Sequence, residues 1–146
     1  MNRTLSSFTE INTGNLLHFI EYLRTRQDDP KALISEAGGK VVKLGPDRKF
    51  IEKIQHSCIK TLDLFIDDDS IFSLNISGDF QLTIADLIKL YGTFRKKNIP
   101  ADGMNAYIFN DDRRRGKHKL QVFHYLKDQE GVKEEEILVD TLRLDF

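Results

Sequence analysis

The period of the apolar residues changes several times along this chain, and each change marks the edge of an element. Leu16, Leu17, Phe19, Ile20 and Leu23 recur near the 3.6-residue period, with Glu21, Arg24 and Arg26 between them. This predicts an amphipathic helix over about 14–26, capped by Asn12 or Thr13. Asp29 as cap, Pro30 at the first helical position and Gly38 beyond the end predict a two-turn helix over Lys31–Ala37. Val41–Leu44 reads as a short strand closed by Gly45-Pro46. From Asp47 to Ile66, the residues Ile51, Ile54, Cys58, Leu62 and Phe65 recur at steps of three and four, and Phe50, Ile59 and Ile66 widen the stripe. That spacing predicts a second long helix packed across a sheet or between two neighbours.

Past Asp67-Asp68-Asp69-Ser70 the period falls to two. Phe72, Leu74 and Ile76 share one face of a predicted strand, and Ser77-Gly78-Asp79 turns the chain. Thr83 with Asp86 approximates a capping box, Leu82 and Leu87 form a hydrophobic staple, and Ile84, Leu87, Ile88 and Tyr91 supply the buried face of a helix stopped by Gly92. A loop through Pro100–Gly103 follows. The strands Asn105–Phe109, Lys119–Leu126 and Ile137–Phe146 complete the reading, with Leu138, Leu142, Leu144 and Phe146 on one face of the last. The predicted fold class is α+β, a single domain over residues 1–146, in which an antiparallel sheet of three or more strands carries helices packed on one face.

Composition narrows the function. The chain has 146 residues and a net charge of −1, which argues against a surface that attracts nucleic acid or anionic lipid as a whole. Cys58 is the single cysteine, so no internal disulfide forms and cysteine-rich zinc sites are excluded. No apolar run approaches a membrane span, and the N-terminus lacks the apolar stretch of a signal peptide. The expected location is cytoplasmic.

Three charged clusters are the candidate sites. Asp67, Asp68 and Asp69 offer hard oxygens to a divalent cation or an acidic patch to a partner, although consecutive residues do not converge readily on one ion. Arg113, Arg114 and Arg115, with Lys117 and Lys119, suit phosphate, carboxylate or nucleic acid, but lack interleaved aromatics for stacking bases. Glu134, Glu135 and Glu136, with Asp128 and Glu130, make an acidic turn that also discourages edge-to-edge association. On the predicted long helix His56 and Cys58 would face apart, which argues against a Cys–His nucleophile. His118 and His124 would stand about 20 Å apart on a strand. Phosphate loops, nucleophile elbows and the HExxH metal motif are missing. The expectation is therefore a non-catalytic protein with no cofactor and no bound metal, whose partner is another protein.

Residues 82–146 resemble the helix-plus-antiparallel-meander unit of β-lactamase inhibitor protein and of small outer-membrane-assembly lipoproteins. The residues that carry the likeness are Thr83-Ile84-Ala85-Asp86-Leu87, Tyr91-Gly92, Tyr107-Ile108-Phe109 and Leu120-Gln121-Val122-Phe123. Thr93 departs from the Pro often found there. In general style the chain also resembles bacterial toxin-neutralising immunity proteins. Both likenesses imply a binding scaffold, most concretely an immunity protein or inhibitor that blocks a bacterial toxin. The alternatives are a small metal-dependent hydrolase using Asp67–Asp69, and phosphate or nucleic-acid binding through Arg113–Arg115.

Overall fold

A computed structural model describes residues 4–112, 118–128 and 131–146. Its centre is one eight-stranded antiparallel sheet in the order β1-β2-β3-β4-β8-β7-β6-β5. The strands are β1 (Lys40–Gly45), β2 (Arg48–Glu52), β3 (Ile59–Asp67), β4 (Ser70–Gly78), β5 (Phe94–Ile99), β6 (Met104–Phe109), β7 (Lys119–Tyr125) and β8 (Thr141–Asp145). Three α-helices, α1 (Leu16–Thr25), α2 (Pro30–Ala37) and α3 (Ile84–Tyr91), accompany it. The α+β class and the antiparallel sheet are as expected, but the sheet is larger than the sequence indicated.

Register arranges the apolar residues in rows across the sheet. Phe109, Leu120, Leu144, Leu74 and Leu64 stand opposite one another in turn, and Tyr107, Val122, Leu142, Ile76, Leu62 and Ile51 form the neighbouring row. These rows join Leu16, Phe19, Ile20 and Leu23 of α1, Leu33 of α2, and Ile84 and Leu87 of α3 in one buried cluster. Local grammar sets the ends of α2 and α3 where the sequence placed them, whereas α1 starts later than expected, with Asn15 rather than Asn12 or Thr13 at its N-cap. The Asp29 side chain accepts from Ala32 N–H, Gly38 takes the left-handed conformation, and Thr83 and Asp86 complete a reciprocal capping box. Between α1 and α2, Tyr22 donates to Glu36, and Arg26 Nη2 bonds the same carboxylate at 2.8 Å.

The predicted helix over Asp47–Ile66 is absent. That segment forms β2 and β3, separated by an irregular stretch in which Lys53 has φ of 56°. Its β-branched and aromatic residues (Phe50, Ile51, Ile59, Thr61, Phe65, Ile66) favour a pleated surface, and non-local pairing overrides the accidental three-and-four spacing. The predicted loop after Gly92 contains a strand as well: β5 pairs with β6 through its whole length. The last strand begins at Thr141 rather than Ile137, and the chain before it shifts parity. Ile137 and Val139 are buried, whereas Leu138, expected on the apolar face, is 69% exposed.

Candidate functional site

The opposite side of the same strands presents a different surface. Ile108, Gln121, Arg143, Asn75, Asp63 and Phe50 form one row across it, and Lys119, Asp145, Ser73, Phe65 and Arg48 form the next. None of these belongs to the main buried cluster. Several are nevertheless shielded: Asp63 is 7% exposed and Ile108 3%. Side chains lying over one another produce that shielding. Arg48 donates Nε to Asp63 Oδ1 at 3.0 Å and Nη2 to Oδ2 at 2.8 Å, a two-point fork. Asp145 accepts from Ser73 Oγ at 2.9 Å, Gln121 Nε2 at 2.8 Å and Arg143 Nε at 3.1 Å. Burial pushes the Asp145 carboxyl up, but those donors outweigh it and hold the group below the usual carboxylate range. Both guanidiniums lie against Phe65, their central carbons 5.0 and 5.5 Å from the ring centroid. Arg143 reaches the ring from two strands away because the intervening β4 residues, Ser73 and Asn75, are small. Phe72, expected on the apolar face with Leu74 and Ile76, is instead 48% exposed and lies next to Phe65 with ring centroids 6.3 Å apart, because a register shift in β4 puts Ile71 in the buried cluster in its place. The buried Asn75 Oδ1 has no hydrogen-bond partner among the described residues.

A depression of about 720 Å³ opens where α3, β5 and the end of β6 meet. Tyr91, Phe94, Arg95, Ile108, Asn110 and Asp111 contribute to its lining. Asp111 bonds Arg95 Nε at 2.9 Å and lies 3.6 Å from Lys119 Nζ, and the Arg95 hydrogen bond chiefly holds its carboxyl below the ordinary range. Tyr91 Oη and His118 Nε2 lie 3.0 Å apart in a buried contact, and burial pushes the Tyr91 phenol above its usual range. A phenol kept protonated is a hydrogen-bonding group, not a nucleophile.

The charged clusters seen in the sequence fall in separate places. Asp68 and Asp69, with φ of 51° and 63°, are the two central residues of the β3–β4 hairpin. Positive φ at both positions defines a type I′ turn, where Asp is among the few tolerated side chains. The cluster therefore closes a hairpin and does not follow a helix. Among the described residues, no three His, Cys, Asp or Glu side chains are gathered to hold a metal ion. Glu134, Glu135 and Glu136 form a short 3₁₀ turn before β8, close to β5 and β6, whose Lys96 and Tyr107 reach Glu134. Lys96 Nζ holds Glu134 at 2.9 Å, while Glu135 and Glu136 are exposed. Arg113, Arg114 and Arg115 lie outside the described residues, as do Lys117, Gln129 and Glu130.

His56 and Cys58 also need correction, since no helix separates them. His56 Nδ1 lies 3.6 Å from Cys58 Sγ, but the same nitrogen accepts backbone N–H groups of Cys58 and Ile59 at 3.0 and 3.1 Å. Burial pushes the thiol up. An imidazole occupied by backbone and a thiol kept protonated do not make a nucleophile.

The Arg48–Phe65–Arg143 group was not anticipated from sequence. The available signal was the alternation Leu62, Asp63, Leu64, Phe65, which was concealed by the helical spacing around it. No protein-family model and no curated protein matches the chain. A solved structure does: the DUF4309 family protein YjgB from Bacillus subtilis superposes with a TM-score of 0.52. The match covers 80% of this chain and 76% of that chain at 12% sequence identity. At such identity the likeness is one of fold. No helix among the described residues is long and apolar enough to cross a membrane.

Proposed function

We propose that this protein is a non-catalytic protein-binding domain of the cytoplasm, in which the helices cover one face of the sheet and a partner docks on the other. The observation that carries this reading is the Arg48–Phe65–Arg143 group, with Phe72 beside it. Arginine and aromatic side chains are the types that concentrate binding energy at protein interfaces. Here the arginines are already oriented by fixed carboxylates, which lowers the entropy cost of docking. The most concrete form remains an immunity protein or inhibitor of a bacterial toxin, which the resemblance to β-lactamase inhibitor protein supports. The hydrolase alternative is weakened because Asp68 and Asp69 serve the hairpin turn and Asp67 ends β3.

The acidic turns are secondary contacts in this reading. Asp68 and Asp69 close the β3–β4 hairpin, whereas Glu134 is held by Lys96 of β5, four strands from β4 in the sheet order. A partner engaging both must reach across the sheet.

The test is site-specific photocrosslinking in the native host. A benzophenone side chain replacing Phe72 is expected to give one discrete adduct, and the same group replacing Leu17, exposed on α1, is expected to give none. Equal adducts from both positions, or none from position 72, would remove the reading.

A further inference from the structure

Resting on that docking reading, we infer that the partner is an acidic protein whose side-chain carboxylates seat on the free donors of Arg48 and Arg143 around Phe65. Arg48 spends Nε and Nη2 on Asp63, and Arg143 spends Nε on Asp145. Neither residue has a further hydrogen bond, so Arg48 Nη1 and both Arg143 terminal nitrogens lack a partner among the described residues. These donors are not mobile surface charges. Asp63 fixes one guanidinium by a fork, Ser73 and Gln121 fix the carboxylate that aims the other, and the Phe65 ring supports both. Planar forks held in this way match carboxylate geometry better than a flexible ammonium does.

Charge on the face agrees. Arg48, Arg95, Lys97, Lys119 and Arg143 share this side of the sheet against Asp63, Asp145 and Asp111, the last bonded to Arg95 and close to Lys119, while Lys40 and Glu52 stand opposite each other at the β1–β2 edge. The surface is thus locally basic in a chain whose net charge is −1. An acidic protein profits from that excess. A phosphate backbone profits less, because Asp63 and Asp145 lie in the middle of its path.

The experiment follows the Nε resonances of Arg48 and Arg143 in the full chain by NMR during titration with a blocked Glu-Ala repeat peptide. A Lys-Ala repeat peptide and an oligothymidylate of equal length run in parallel. Saturable shifts at Arg48 and Arg143 with the Glu-Ala peptide alone are expected, and Arg24 on α1 should stay unmoved. Arg143→Lys keeps the charge beside Asp145 but loses the fork. It is expected to weaken the peptide by about tenfold, with the Leu74 methyl resonances in place to show that the fold survives. Shifts of equal size at Arg24, or none at Arg48 and Arg143, overturn the acidic partner. Binding of oligothymidylate in preference to the peptide overturns it in favour of single-stranded nucleic acid. A discrete crosslink from position 72 combined with no peptide response leaves docking intact and removes only the acidic class. Loss of the crosslink removes the docking reading itself.

Discussion

Leu62 and Leu64 of β3 point one way and Asp63 and Phe65 the other, and the two pairs are shielded by different physics. Leu62 and Leu64 are fully buried in a cluster that includes residues of α1, α2 and α3. Their stabilisation is non-directional and scales with apolar area removed from water. Asp63 is almost as inaccessible, yet none of its neighbours in the two rows belongs to that cluster. Its shelter comes from the side chains around it, Arg48 first, and that order depends on geometry and on charge. One face of the strand holds the fold together, and the other holds donors in place. The arginine partners are themselves partly exposed, and ion pairs of that kind contribute little net stability.

Substitution on the two faces should separate these roles. Leu64→Ala is expected to lower stability by about 3 kcal/mol in urea denaturation, from lost burial and the cavity left behind. Arg48→Ala should lower it by less, because the guanidinium is half exposed, while abolishing the crosslink from position 72. An Arg48→Ala loss equal to that of Leu64→Ala would make the paired face a second core and break the contrast.

Acid provides a finer separation. The Asp145 carboxyl lies below its ordinary range in the folded chain, despite burial, because Gln121, Ser73 and Arg143 donate to it. A depressed folded pKa contributes stability that is present above the unfolded value of about 3.9 and is lost as pH falls through the folded one. The stability gap between the wild type and Asp145→Asn should therefore be open at neutral pH and close as pH drops below about 4. The gap produced by Leu64→Ala should persist over the same range. Urea melts at several pH values read both, and an Asp145→Asn gap that ignores pH would mean that the carboxylate's charge does not organise the face.

Much of the covered layer was legible in the sequence, because its signals are local. Asp29-Pro30 and Gly38, and Thr83 with Asp86, mark helix ends through bonds made within a few residues. The strands around Asn105–Phe109 and Lys119–Leu126 were also read, whereas the alternation after Ser70 misplaced Phe72, which is exposed while Ile71 is buried. The face that carries Arg48, Phe65 and Arg143 was not legible. Its first strands sit inside Asp47–Ile66, where spacings of three and four imitate a helix, and β5 reads Phe-Arg-Lys-Lys-Asn-Ile, with charge in place of apolar alternation because it is a sheet edge. Leu138 failed for a related reason: a shift of one residue in parity, invisible without the register, exchanges buried and exposed positions. A cluster assembled from β2, β3, β4, β7 and β8 exists only once the strand order is known.

The smallest expected effect bears on the most conspicuous motif. If Asp68 and Asp69 are there to close a type I′ turn, the pair Asn-Gly should do so at least as well, because both residues accept positive φ with less strain. The double substitution Asp68→Asn with Asp69→Gly is expected to leave the fold intact and raise stability by about 0.5 kcal/mol, the relief of left-handed strain being partly offset by the backbone entropy of glycine. The crosslink from position 72 should be unchanged, since the turn lies beyond the end of the Arg48–Phe65–Arg143 group. Calorimetric titration with Mg²⁺ should give no heat with either chain. A crosslink lost on replacing these two carboxylates would move the binding surface from the sheet face to the hairpin tip. It would also mean that the aspartates were placed for a partner and merely tolerated by the turn.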